Sequence, residues 1–144
     1  MKKTITLFVL SFFFLNCKSQ NLKVKNLEKK VELNYVIANL QIDNTVQKEL
    51  WDRSQFIKIF TISDSKATPK GLFEGTDEVL SSLIISATPD GDYYTKSKLY
   101  KIEGINNPKI TEIKEGKFPE FSITIEHGFY DKRKSETFKF KGVQ

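Results

Sequence analysis

The chain has 144 residues, 39% of them hydrophobic and 28% charged, which fits one globular domain and excludes a disordered or fibrous polymer. Its formal net charge is +5, but Lys2 and Lys3 fall in the leader described next, so 21 basic residues face 18 acidic ones and the remainder carries +3. So small a bias gives no argument for nucleic acid, and the single cysteine, Cys17, excludes a disulfide within the chain.

Lys2 and Lys3 make a positive start, Ile5 to Leu15 an apolar run, and Asn16 to Asn21 a polar stretch, which is the order of an export signal. A membrane-spanning helix needs about 20 apolar residues, and this run is shorter and already contains Thr6 and Ser11. Residues 1–16 are therefore expected to be a signal peptide. Phe14-Leu15-Asn16-Cys17 resembles the lipobox of bacterial lipoproteins in the relaxed form familiar from Bacteroidota, with Asn16 where the common pattern has a small residue. That resemblance implies cleavage before Cys17, lipid attachment at its thiol, and a membrane anchor with palmitate-like chains. Lys18-Ser19-Gln20-Asn21 lacks the acidic cluster that resembles a surface-export signal and the Asp that resembles an inner-membrane retention signal, so an outer-membrane anchor facing the periplasm is implied. The competing reading is ordinary signal-peptidase cleavage after Ser19, which discards the thiol and releases a soluble exported protein.

Residues 17–30 read as the lipidated cysteine and a basic tether carrying Lys18, Lys23, Lys25, Lys29 and Lys30, and residues 31–144 as a single domain. Alternation of Val31, Leu33, Tyr35 and Ile37 predicts a first strand. Asn44 with Gln47 three residues on suggests a capped helix carrying Val46, Leu50 and Trp51. Phe56 to Ile62 is apolar on both faces, as a central covered strand would be. Ser63 to Gly75 is polar and Gly/Pro-containing, a long loop in which Leu72 and Phe73 are candidates for a folded-back plug.

Val79 to Thr88 and Tyr93 to Glu103 flank Pro89-Asp90-Gly91-Asp92 and predict a hairpin. A short strand follows at Ile110 to Lys114, broken by Gly116 to Pro119, and Glu120 to His127 should pair with Glu136 to Lys141 across Gly128 to Ser135. Strand, helix, then antiparallel strands suggest an α+β domain, one helix packed on a curved antiparallel sheet, an order of elements similar to cystatin-like folds. A β-sandwich or small barrel is the alternative.

Chemistry is sparse. His127 is the one histidine, so zinc, copper and haem lack ligands, and no metal or other cofactor is expected. Ser, His127 and Asp131 lack a Gly-x-Ser-x-Gly elbow, and Asp90-Gly91-Asp92 offers calcium too few oxygens; no catalytic residues are assigned. Aromatic residues are the positive signal: Tyr93, Tyr94 and Tyr100 in one hairpin and Phe129 and Tyr130 at a loop tip form a possible partner interface, set against the plainer reading that they cap the core. These features suggest a non-enzymatic envelope lipoprotein that binds a protein partner, as an inhibitor or immunity-like protein would, with a periplasmic small-ligand carrier holding an apolar cavity between helix and sheet as the alternative.

Overall fold

A computed structural model describes residues 22–27, 37, 46–64, 80–90 and 97–144. The leader, Cys17, Val31 to Val36, Asn44, residues 65–79, Tyr93 and Tyr94 lie outside them. All eight elements formed by the described residues are strands: β1 (Val24–Asn26), β2 (Val46–Leu50), β3 (Gln55–Asp64), β4 (Leu80–Pro89), β5 (Lys98–Asn106), β6 (Lys109–Glu115), β7 (Glu120–Phe129) and β8 (Lys132–Lys141). They form two antiparallel sheets, ordered β1-β5-β4-β3-β2 and β6-β7-β8. The sheets close on one apolar layer, to which Ile57, Ile59, Leu83, Ile85 and Ile102 contribute from the first and Phe121, Ile123, Ile125, Phe138 and Phe140 from the second.

The expected α+β fold with a helix on the sheet is therefore corrected to a β-sandwich, the architecture named as the alternative. The segment read as the helix is β2, paired from Val46↔Ile59 to Leu50↔Gln55. Its misleading feature is spacing. Positions 46 and 50 share a face at a helical period of 3.6 and equally at a strand period of 2. The pairing with β3 decides between them, and it leaves Leu50 1% exposed and Val46 39% exposed, as on an edge strand with one contact point.

The covered central strand is observed: β3 lies between β2 and β4, with Ile57 and Ile59 facing the shared core and Phe60 on the opposite face with Ile84 and Leu99. Leu27 and Ile37 pack on that second face. Burial there also holds the part-buried Lys58 amine below its ordinary value. The β4–β5 hairpin forms, with pairing that ends at Ala87↔Lys98. β7 and β8 pair as expected but to a tighter tip, reaching Phe129↔Lys132 so that only Tyr130-Asp131 remain as the turn. Gly128 at φ +121° makes this possible, because a Cβ there would lie 2.5 Å from the Lys132 carbonyl oxygen.

Within the stretch read as a tether, Val24–Asn26 forms a strand on β5 and Leu22 packs against the inter-sheet core. Lys25 on β1 and Lys101 on β5 both bind the Glu103 carboxylate, the latter at 2.8 Å. Hydrogen bonds from Lys101 and Lys25 pull the Glu103 carboxyl from 4.5 down to about 2.

Leu50→Ala should cost about 2–5 kcal/mol and Val46→Ala under about 1 kcal/mol in urea unfolding, whereas a helix burying both would make both costly. Because the Glu103 carboxyl is depressed, its contribution is present above pH 4.5 and is lost as pH falls towards about 2. Amide-exchange protection of Val24–Asn26 should fall over that window relative to β3 and β4. Glu103→Gln should remove the pH dependence.

Candidate partner-binding surface at the Trp51 end

The strand register gives the sandwich two distinct ends. At one lie the β2–β3 turn, residues 51–54, the β6–β7 turn, residues 116–119, and the C-terminal residues 142–144. At the other lie Asn106 to Lys109 and the Tyr130-Asp131 turn.

The β2–β3 turn is conformationally costly. Trp51, Asp52 and Arg53 all have positive φ, at 50°, 50° and 73°. The left-handed region costs a residue with a Cβ about 1–2 kcal/mol and is normally visited singly. Specific bonds hold it: Trp51 N–H donates to Glu115 Oε1 at 2.6 Å, Ser54 N–H to the Trp51 carbonyl at 3.0 Å, and Asp90 N–H to the Ser54 carbonyl at 3.2 Å. The half-buried Trp51 ring meets Phe118 edge to face, centroids 5.3 Å apart and planes at 78°. Phe118 is 52% exposed, so the pair is an apolar platform at the surface, with one ring from each sheet.

A polar clasp beneath the platform joins the sheets. Buried Gln55 donates from Nε2 to the Val143 carbonyl at 2.6 Å and accepts from the Val143 N–H at 3.1 Å. Gly142 N–H donates to the Pro119 carbonyl at 2.7 Å. An open cleft of about 500 Å³ lies nearby, lined by Gly116, Glu120 and Lys141 together with the Tyr100, Phe121 and Phe140 rings.

Of the residues expected at an interface, Tyr93 and Tyr94 lie outside the described residues. Tyr100 is 8% exposed, its ring 5.3 Å from Phe140 and its hydroxyl donating to the Lys141 carbonyl at 2.7 Å, so it is a core residue with a satisfied polar tip. Phe129 is half-buried and Tyr130 is 89% exposed, at the end away from Trp51. Of the described three, Tyr100 is thus separated from Phe129 and Tyr130. Trp51 and Phe118 were missed because Trp51 fell in the expected helix and Phe118 in a segment read only as a strand breaker. An aromatic residue inside a Gly/Pro turn was the available signal.

His127 is fully buried, its Nε2 3.0 Å from Glu136 Oε2, a packed residue beyond the reach of substrate. Its Nδ1 and both amide atoms of buried Asn106 have no hydrogen-bond partner among the described residues. Among the described residues no group of three or more His, Cys, Asp or Glu side chains could hold a metal ion. Compared with known proteins, the chain matches no family model, no curated sequence and no solved structure.

A methyl group at Gly142 would lie 2.0 Å from Gln55 Oε1 and 2.8 Å from its Nε2, so Gly142→Ala must break the clasp. A loss of about 1–3 kcal/mol is expected in thermal or urea unfolding, because the buried Val143 polar groups lose their partners.

Proposed function

We propose that the protein is an envelope lipoprotein held through Cys17, whose sandwich is a non-enzymatic binding module for a protein partner, and that the partner docks on Trp51 and Phe118. The observation that carries this reading is the aromatic pair at the surface, half-buried Trp51 on a strained, multiply bonded turn and exposed Phe118 beside it. Aromatic rings rigidly held at a surface are the residues that dominate protein interfaces, because they bury large area with little entropy to lose. Strain in a backbone persists where surrounding structure over-determines it, and such sites cluster at binding and active centres. The lipobox-like Phe14 to Cys17 supports the anchor, and the lack of residues resembling surface-export or inner-membrane retention signals after it supports an outer-membrane location facing the periplasm.

The small-ligand carrier is the second reading. Its cavity between helix and sheet has no counterpart among the described residues, and the cleft beside Tyr100, Phe121 and Phe140 is the concavity it would use.

The test is affinity capture of the tagged, lipidated protein from detergent-solubilised envelopes with mass spectrometry of what accompanies it. One protein at near-stoichiometric yield, lost on Trp51→Ala or Phe118→Ala and kept on Tyr130→Ala, is the expected outcome. A partner indifferent to both ring deletions would overturn the assigned surface. Cys17→Ala should leave the protein uncleaved or soluble, and a full-size mature form that still sediments with membranes would end the anchor reading.

A further inference from the structure

We infer that the end of the sandwich opposite Trp51 is a membrane-contact surface, in which Tyr130 at the β7–β8 tip, with Lys132 and Lys109 on the same sheet, seats on anionic phospholipid headgroups. The inference rests on the anchor reading for Cys17 and goes beyond it by fixing which way the domain faces.

Chain length is the first argument. Leu22 is packed against the core, and five residue steps separate it from Cys17, about 18 Å at full extension. In register, Val24 faces Ile102 and Asn26 faces Tyr100, so Leu22 lies level with Gly104, on the Asn106 side of β1. The start of β5 at Lys98 is six residues the other way, about 20 Å along a strand, with the Trp51 turn beyond it. An acyl-anchored Cys17 therefore cannot set the Trp51 end down on the bilayer, and it holds the Asn106 end close.

The chemistry of that end is the second argument. Arg133 Nη2 donates to the Asn107 carbonyl at 3.1 Å and Lys109 stands opposite Glu126 in the β6–β7 backbone register, so the β7–β8 tip and the β5–β6 link form one surface. Tyr130 projects there at 89% exposure, an amphipathic ring of the kind enriched at headgroup level. The acids around it are engaged within the protein: Glu126 with Arg133 at 2.5 Å, Glu136 with His127 and Lys134, and Glu103 with Lys25 and Lys101. Among the described side chains of the second sheet at that end, exposed Lys109 and Lys132 stand against exposed Asp131, and Asp64 of β3, opposite Leu80, ends its strand there in the first sheet. Each lysine near an anionic leaflet contributes about fivefold to association, and Tyr130 adds its apolar ring.

The chain contains one tryptophan, Trp51, at the far end, which supplies an internal control. The lipidated mature protein is reconstituted into vesicles of equimolar phosphatidylethanolamine and phosphatidylglycerol with brominated acyl chains. Native Trp51 emission should be unquenched, while Tyr130→Trp made with Trp51→Phe should be blue-shifted and lose about half its emission. Changing Lys109→Gln and Lys132→Gln in that background should weaken docking about fivefold each, and about 1 M salt should mimic them. An unquenched indole at position 130 in an acylated, vesicle-bound protein overturns the proposal, as does quenching of Trp51 instead. Intact mass reads the anchor separately: an unacylated Cys17 in a soluble chain overturns the anchor and, with it, the orientation built on it.

Discussion

Everything else in the molecule depends on two sheets having to bury their apolar faces against each other. Neither sheet is viable alone, because β7 presents Phe121, Ile123 and Ile125 along one side, and β3, β4 and β5 present Ile57, Ile59, Leu83, Ile85 and Ile102 along theirs. Each such side chain contributes about 1.5–3 kcal/mol when removed from water. That layer sets which residues are free for other work. On the outer face of the second sheet Thr124 and Thr137 bond across strands at 3.0 Å and charged residues alternate with them, so that face is solvated and offers little to a partner.

With faces committed to burial or to water, the ends of the sandwich carry the distinctive chemistry. The Trp51 end joins the sheets through the buried Gln55–Val143 bonds, while Gly142 bonded to Pro119 closes the same end of the second sheet. A turn fastened that firmly can hold three left-handed residues in succession and keep two aromatic rings at the surface. The other end joins the sheets through the chain itself, Asn106 to Lys109, with Arg133 as the cross-brace. Polarity between the two ends is thus built into the topology.

Strands with strict alternation were legible in the sequence. Phe121, Ile123, Ile125 and His127 on one face and Phe138 and Phe140 opposite them gave the final hairpin, and double-faced apolarity gave β3. β2 was not legible, because its four-residue spacing of Val46 and Leu50 fits two periods and its intervening Gln47, Lys48 and Glu49 have good helix propensity; only pairing with β3 resolves it. β1 escaped notice because a three-residue edge strand rich in lysine has the composition of a linker. The candidate surface was illegible for a different reason. Trp51 and Phe118 lie 67 positions apart, and nothing local says that two turns on different sheets meet.

The Trp51 turn bears on function through what it does not use. Left-handed positions are filled at low cost by Gly or Asn, and a turn built for stability alone would have them there. Asp52 tolerates the left-handed region, but Trp51 and Arg53 forgo that relief, and Arg53 recovers little of it from an exposed 3.5 Å contact with Glu49. The side chains must therefore matter more than the backbone's comfort. Trp51 packs part of its ring against the inter-sheet core and leaves the rest at the surface beside a more exposed Phe118. A ring held at such cost, and only partly buried, has its remaining face available to something outside the chain.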